Sequence, residues 1–211
     1  DKLRHKVEAA IGDILSAPRD MAKLAQDAED MRQRLRAHQP QAGPFDIRRG
    51  DGGLVDVEFI AQSLQLAHGA QHEGLLVPQP LPQLLRALHQ ADCLDTSAHD
   101  GLQGAAACFL SLRQTASLCL EDDETAPPAA IAGLLLEALN EPDMSRLSDV
   151  IEAHRSHVSA CFAATMSHLR DARSIRCRRP RAVCQTTRVS HASSAIRDAL
   201  HGDALSVIGD A

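Results

Sequence analysis

Apolar residues recur every three or four positions along nearly all of the chain up to Leu169, and this spacing restricts it to helices. Leu3, Val7, Ala10, Ile11, Ile14 and Leu15 make a first stripe, which Pro18 ends. Asp20 is placed to cap a second helix carrying Met21, Leu24, Ala28, Met31 and Leu35. The Gln-Pro-Gln-Ala-Gly-Pro run at 39–44 breaks it. Phe45-Asp46-Ile47-Arg48-Arg49 is a short extended candidate. The helical pattern returns from Leu54 with Val57, Ile60, Ala61, Leu64 and Ala67, and residues 69–82 read as loop. Leu84, Leu85 and Leu88 mark a short helix, and Thr96 or Ser97 is placed to cap a longer one with Ala105, Phe109, Leu112, Ala116 and Leu120. Pro127-Pro128 opens a helix through Ile131, Leu134, Leu135 and Leu139. Pro142 and Asp143 open the last, where Leu147, Val150, Ile151, His154, Val158, Cys161, Phe162 and Leu169 face one way. The expectation is an all-α, antiparallel helical bundle of about seven helices, because short connections set neighbours side by side.

Composition supports helices and excludes several functions. The chain has 211 residues, 44% of them hydrophobic, with no Trp, no Tyr and four Phe. So few aromatics argue against a β-sandwich and against a binder that stacks single-stranded bases. A chain of this length buries roughly 70% of its unfolded surface, enough for a real core. No run reaches the roughly 18 apolar residues of a membrane span, and the charged start has no signal-peptide core. A cytoplasmic protein with no membrane partner is therefore expected. Because the sequence starts at Asp1 without a Met, it is expected to be processed or a piece of something longer. None of its six Cys forms a C-x-x-C pair, so they read as small buried hydrophobes or free thiols.

Charge divides the chain. Residues 1–169 carry a net −10, whereas residues 170–211 carry +4 with eight Arg and no Lys. The apolar periodicity stops at the same place. A helical domain over 1–169 and an Arg-rich tail over 170–211, poorly ordered or foreign to the domain, are expected. Within the tail, 192–208 has the pattern of a weak amphipathic helix. The Arg run could bind nucleic acid, but the acidic body, poor in aromatics, makes that role unexpected. The acidic Glu121-Asp122-Asp123-Glu124 run reads as a solvated link between helices.

The most informative stretch is 45–62. Two Arg (Arg48, Arg49) precede a Gly pair (Gly52, Gly53), and two carboxylates (Asp56, Glu58) sit in the first turn of the helix that follows. Paired Gly permit a positive φ and close approach of another chain or a phosphate. Free amides at a helix start favour anions. Asp56 and Glu58, two apart, point to different faces. Capping and macrodipole chemistry accounts for every residue here except the Arg pair.

This segment, Phe45-Asp46-Ile47-Arg48-Arg49-Gly50-Asp51-Gly52-Gly53-Leu54-Val55-Asp56-Val57-Glu58-Phe59-Ile60-Ala61-Gln62, resembles the signature of the glutamine-synthetase adenylyltransferase/adenylyl-removing family. Pro18-Arg19-Asp20, Met31-Arg32-Gln33-Arg34 and Phe109-Leu110-Ser111-Leu112-Arg113 are similar to further stretches of it, and the likeness covers about 1–169. The resemblance implies a bacterial, bifunctional nucleotidyltransferase that moves AMP from ATP to a tyrosine of glutamine synthetase and removes it by phosphorolysis. Glutamine and the PII signalling protein would set the balance. Each half of such an enzyme pairs a catalytic domain with a helical domain, and this chain looks like the helical domain of the adenylylating half. The related uridylyltransferases that modify PII share the catalytic fold; the Gly52–Phe59 run favours the glutamine-synthetase branch.

The family's catalytic G-S and D-x-D motifs are missing from the sequence, and two-metal transfer needs such clustered carboxylates. No catalytic residue and no metal ligand is expected in this fragment, and neither Mg²⁺ nor ATP is expected to bind it alone. Arg48, Arg49, Gly52, Gly53, Asp56 and Glu58 are the site-supporting candidates. They would face the catalytic cleft, with Arg on phosphate and Asp56 or Glu58 holding an Arg of another domain or of the substrate protein, or else dock the two domains. The expected partners are glutamine synthetase, the PII protein and the enzyme's own nucleotidyltransferase domain. The alternative is a stand-alone helical interaction module with no chemistry. His68 and His72 are four apart, but Gly69 between them ends the helix and argues against a metal pair. His154, His157 and Cys161, near one face of the last helix, read as core or interface packing rather than a metal site.

Overall fold

A computed structural model describes residues 2–38, 45–119 and 129–171. These form seven α-helices: α1 (Lys2–Ser16), α2 (Met21–His38), α3 (Leu54–His68), α4 (Leu81–Gln90), α5 (Thr96–Cys119), α6 (Ala129–Leu139) and α7 (Met144–Asp171). Two 3₁₀ turns, Gly69–Gln71 and Glu73–Leu75, fill the segment expected to be loop. There is no strand among the described residues, and 45–49, expected to be extended, is an irregular loop in which the Ile47 amide donates to the Phe45 carbonyl at 2.8 Å. The break at 39–44, the acidic run at 121–124, the Pro pair at 127–128 and residues 172–211 lie outside the described residues.

Local chemistry sets the helix ends. Asp20 accepts the Lys23 amide at 3.1 Å and Asp143 accepts the Arg146 amide at 2.8 Å, so both cap as expected. The cap of α5 is neither Thr96 nor Ser97: Asp95 accepts the Ala98 amide at 2.8 Å. Two stops carry no glycine. Asp92 (φ 56°) and Asn140 (φ 54°) take the left-handed conformation after α4 and α6. There the next amides, of Cys93 and Glu141, return to the Leu88 and Leu136 carbonyls at 2.9 Å.

α3 is the central element. It buries Leu54, Val57, Ile60, Ala61, Leu64 and Ala67, and packs against α1, α2, α4, α5 and α7. α7 is the second hub and lies on α2, α3, α5 and α6 through Leu147, Ile151, Val158, Phe162, Met166 and Leu169. Each such Leu, Ile or Phe, fully buried, contributes about 1.5–3 kcal/mol. α2 meets this pair through small residues, Ala25 and Ala28. The stripe on α1 is not core as a whole: Leu15 is buried, while Leu3, Val7 and Ile14 are exposed. Met31 and Leu35 on α2 are also exposed. Cys93, Cys108 and Cys161 are buried and form no disulfide among the described residues, and burial pushes the Cys108 thiol up to about 12.

Candidate functional site

The 45–53 loop turns into α3 with much of its backbone hydrogen-bonded within the chain. The Leu54 and Val55 amides donate to the Ile47 and Arg48 carbonyls, at 2.8 and 3.3 Å, and the Asp56 amide to the Gly53 carbonyl at 3.0 Å. The start of α3 is therefore covered by its own loop, and the amides expected to be free for an anion are already bound. Both glycines are required by contact. Gly52 has φ 70°, and a Cβ there would sit 1.9 Å from the Arg155 carbonyl oxygen of α7. A Cβ on Gly53 would meet the Ile47 and Arg48 carbonyls at 2.9 Å. The close approach that the Gly pair permits is thus made by α7 of the same chain.

Asp56 is buried at the foot of this loop. Its Oδ1 accepts Arg32 Nε at 2.6 Å, its Oδ2 accepts Arg32 Nη2, and the Gly52 amide donates to Oδ2 at 2.7 Å. Arg36 Nη2 lies 3.5 Å from the same oxygen. Beneath Arg32, the Phe162 ring centroid is 4.1 Å from its Cζ, a cation–π contact from α7. The arrangement is a side-on guanidinium–carboxylate pair, the strong geometry for such ions. From the other side Arg155 reaches into the loop and donates to the carbonyls of Asp46 (2.5 Å), Asp51 (3.3 Å) and Arg49 (3.4 Å). Burial pulls the Arg155 pKa below its usual value, against the pull of Glu152, Asp46, Asp51 and Asp56.

Above Asp56 lies a shallow cleft of about 460 Å³, counting its open mouth. It is lined by Arg32, Leu35 and Arg36 of α2, Arg48, Arg49 and Gly50 of the loop, and Val55 and Asp56 of α3. Arg48 and Arg49 are exposed at its edge. Arg49 Nε is 3.9 Å from Asp46 Oδ2, and Arg48 has no carboxylate partner among the described residues. Asp51, also exposed, pairs with Arg36. Glu58 is half-buried on a different face of α3 from Asp56 and makes no hydrogen bond or ion pair among the described residues.

Of the six sequence candidates, then, Arg48, Arg49 and Asp56 meet at one cleft, Gly52 and Gly53 shape the loop beside it, and Glu58 stands apart. Sequence reasoning gave no role to Arg32, Arg36 or Arg155. The four-residue spacing of Arg32 and Arg36, which puts both on one face of α2, was the available signal. Asp56 holds an arginine of its own chain. Elsewhere, α3 ends at His68, so His72 falls beyond the helix. His154 packs edge-on to Phe109 at 6.1 Å, and His157 Nε2 lies 3.4 Å from Cys161 Sγ. Among the described residues no cluster of three His, Cys, Asp or Glu is placed to hold a metal, and no helix is long and apolar enough to cross a membrane.

A family model described as GlnD PII-uridylyltransferase matches residues 19–166, a stretch that contains the loop, the cleft and α7. The chain belongs to this family. Among similar curated proteins is the bifunctional glutamine synthetase adenylyltransferase/adenylyl-removing enzyme of Caulobacter vibrioides, 33% identical over 163 residues, or 76% of this chain and 16% of that protein. Proteins of the same name from Bradyrhizobium sp. BTAi1 and Brucella suis biovar 1 are each 30% identical over 77% of this chain, which covers 17% and 16% of them. The chain thus spans about a sixth of the length of the curated relatives it matches. These relatives carry the glutamine-synthetase name, the branch that the Gly52–Phe59 run favours.

Proposed function

We propose that this chain is the helical domain of a glutamine-synthetase adenylyltransferase, and that the arginine-lined cleft is the face it turns toward the nucleotidyltransferase domain and its substrate protein. The carrying observation is selective exposure. The 45–62 motif binds the Gly52, Leu54, Val55 and Asp56 amides and the Asp56 carboxylate within the chain, yet leaves Arg48 and Arg49 exposed at the mouth of a cleft. Two adjacent exposed guanidinium groups at the mouth of a cleft suit a surface that meets phosphate or carboxylate groups. The domain's part is to position, because the donor set does not suit Mg²⁺. That ion asks for free oxygen ligands in octahedral array, and Asp56 is already held by Arg32 and the Gly52 amide. In this reading Mg²⁺ and the chemistry performed on ATP belong to the catalytic domain, this chain only meets phosphate or carboxylate groups at the cleft, and PII acts on the longer enzyme.

The test belongs in the longer protein that carries this segment together with its nucleotidyltransferase domain. Replacing Arg48 and Arg49 together by Ala should lower AMP incorporation into glutamine synthetase by at least about tenfold, the order expected when a charge-assisted contact is lost. Replacing Arg113, exposed on α5 away from the cleft, should leave it unchanged. Full incorporation by the double variant would remove the cleft from the reaction. Asp56 is not the residue for this test, because its loss would also disturb the fold.

A further inference from the structure

We propose that the cleft is a binding site for a phosphate-bearing anion, and that the Asp51 carboxylate stands in that anion's place in the free domain. The inference deepens the reading above by naming what the arginine face takes hold of.

The four arginines differ in availability. Arg32 is fixed at the floor by its side-on pair with Asp56 and by the Phe162 ring under it. Arg36 sits further out; its Nη2 is 3.5 Å from Asp56 Oδ2, and its close partner is Asp51. Arg48 and Arg49 stand at the rim, where among the described residues their one ion-pair contact is Asp46, 3.9 Å from Arg49 Nε. Cationic groups thus run from a neutralised floor to an under-neutralised mouth. Asp51 reaches over this gradient. Its side chain is 74% exposed, yet its Oδ1 pairs with Arg36 and lies 3.9 Å from Arg32 Nη2.

An ion pair this exposed is weak and exchanges easily. A phosphate group brings up to two charges and three acceptor oxygens, and guanidinium groups bind it side-on. It therefore outcompetes a lone carboxylate for Arg36 while also reaching Arg48 and Arg49. Asp56 cannot be displaced in the same way, since it is buried and bound by three donors. The α3 amides take no part, because the loop carbonyls cover them.

The 211-residue chain should be titrated calorimetrically at low salt with inorganic phosphate, tripolyphosphate and ATP. Binding is expected, strongest for the more highly charged anions, and it should weaken as salt rises. Arg48→Ala with Arg49→Ala should weaken it at least about tenfold. Asp51→Asn should strengthen it about two- to fivefold, the worth of the exposed pair it removes. Arg113→Ala should change nothing. All these side chains are exposed, so thermal midpoints should stay with the parent and separate a lost site from a lost fold. Binding of ATP together with tripolyphosphate supports a nucleotide as the source of the phosphate; binding of phosphate or tripolyphosphate without ATP supports a free phosphate ion. No heat from any of the three with either the parent or Asp51→Asn overturns the proposal, as does binding that the double Arg variant leaves intact. A blank titration alongside lost adenylylation in that same double variant would overturn the anion site and leave the cleft's role in the longer enzyme standing.

Discussion

Asp56 ties three parts of this molecule together. It joins α2 through Arg32, the loop through the Gly52 amide, and, by way of Phe162 under Arg32, α7. Removing one partner of a buried ion pair leaves the other charge without compensation, at a cost of about 3–5 kcal/mol. Asp56→Asn should lower the unfolding free energy of the chain by that order in urea titration. Glu58→Gln, half-buried and without a polar partner among the described residues, should stay within about 0.5 kcal/mol. A loss below about 1 kcal/mol for Asp56→Asn would show that the pair is not the tie described. The sequence made the two carboxylates legible as members of different faces, because their spacing settles that. It did not reveal their fates. Arg32 lies 24 residues before Asp56, and Arg155 reaches the Asp46 carbonyl across 109 residues. Local rules about first-turn acids stop within one turn, so a partner brought in by tertiary packing leaves no trace in them.

At the level of elements, periodicity located the helices because a 3.6-residue repeat is a local property. It did not say what would cover each stripe. α3 buries its whole stripe, while α1, equally regular in sequence, leaves Leu3, Val7 and Ile14 exposed. Nor did it find the stops at Asp92 and Asn140, which rely on residues that tolerate the left-handed conformation without advertising it as Gly does. The helices also bury His68 and half-bury His154 and His157. Burial, with a smaller push from His157, lowers the His154 pKa to about 4, and burial likewise lowers those of His157 and His68. Above pH 6.5 His154 is neutral whether the chain is folded or unfolded, and it costs nothing. Between about 6.5 and about 4 the unfolded chain takes up a proton that the folded one refuses, so stability falls as pH falls through that window. The loss approaches about 3 kcal/mol and levels off below the folded pKa. Urea midpoints from pH 7 to pH 4.5 should therefore drop more steeply for the parent than for His154→Gln. Parallel curves would mean that His154 titrates as it does in solvent.

Over the whole molecule, the shift in charge and the end of apolar periodicity near residue 170 give the last prediction. α7 runs to Asp171 and stays tied to the body almost to its end: Leu169 is buried, and Arg170 pairs with Glu29 of α2 at 2.5 Å. Beyond it, residues 172–211 hold seven Arg, Pro180 and no sustained apolar face. Ordering a segment costs conformational entropy that a sustained apolar face would normally offset. The sequence therefore predicts a domain boundary at about residue 170. A chain ending at residue 171 should unfold in urea at the same midpoint and with the same slope as the 211-residue chain, since the slope follows the surface exposed on unfolding. A chain ending at 143 should not fold cooperatively, because it loses Leu147, Ile151, Val158, Phe162, Met166 and Leu169 together with the Arg155 grip on the loop. A lower midpoint or a shallower slope for the 171-residue chain would instead make 172–211 part of the core, and the net positive charge of the tail would then have to be explained as a surface of the domain.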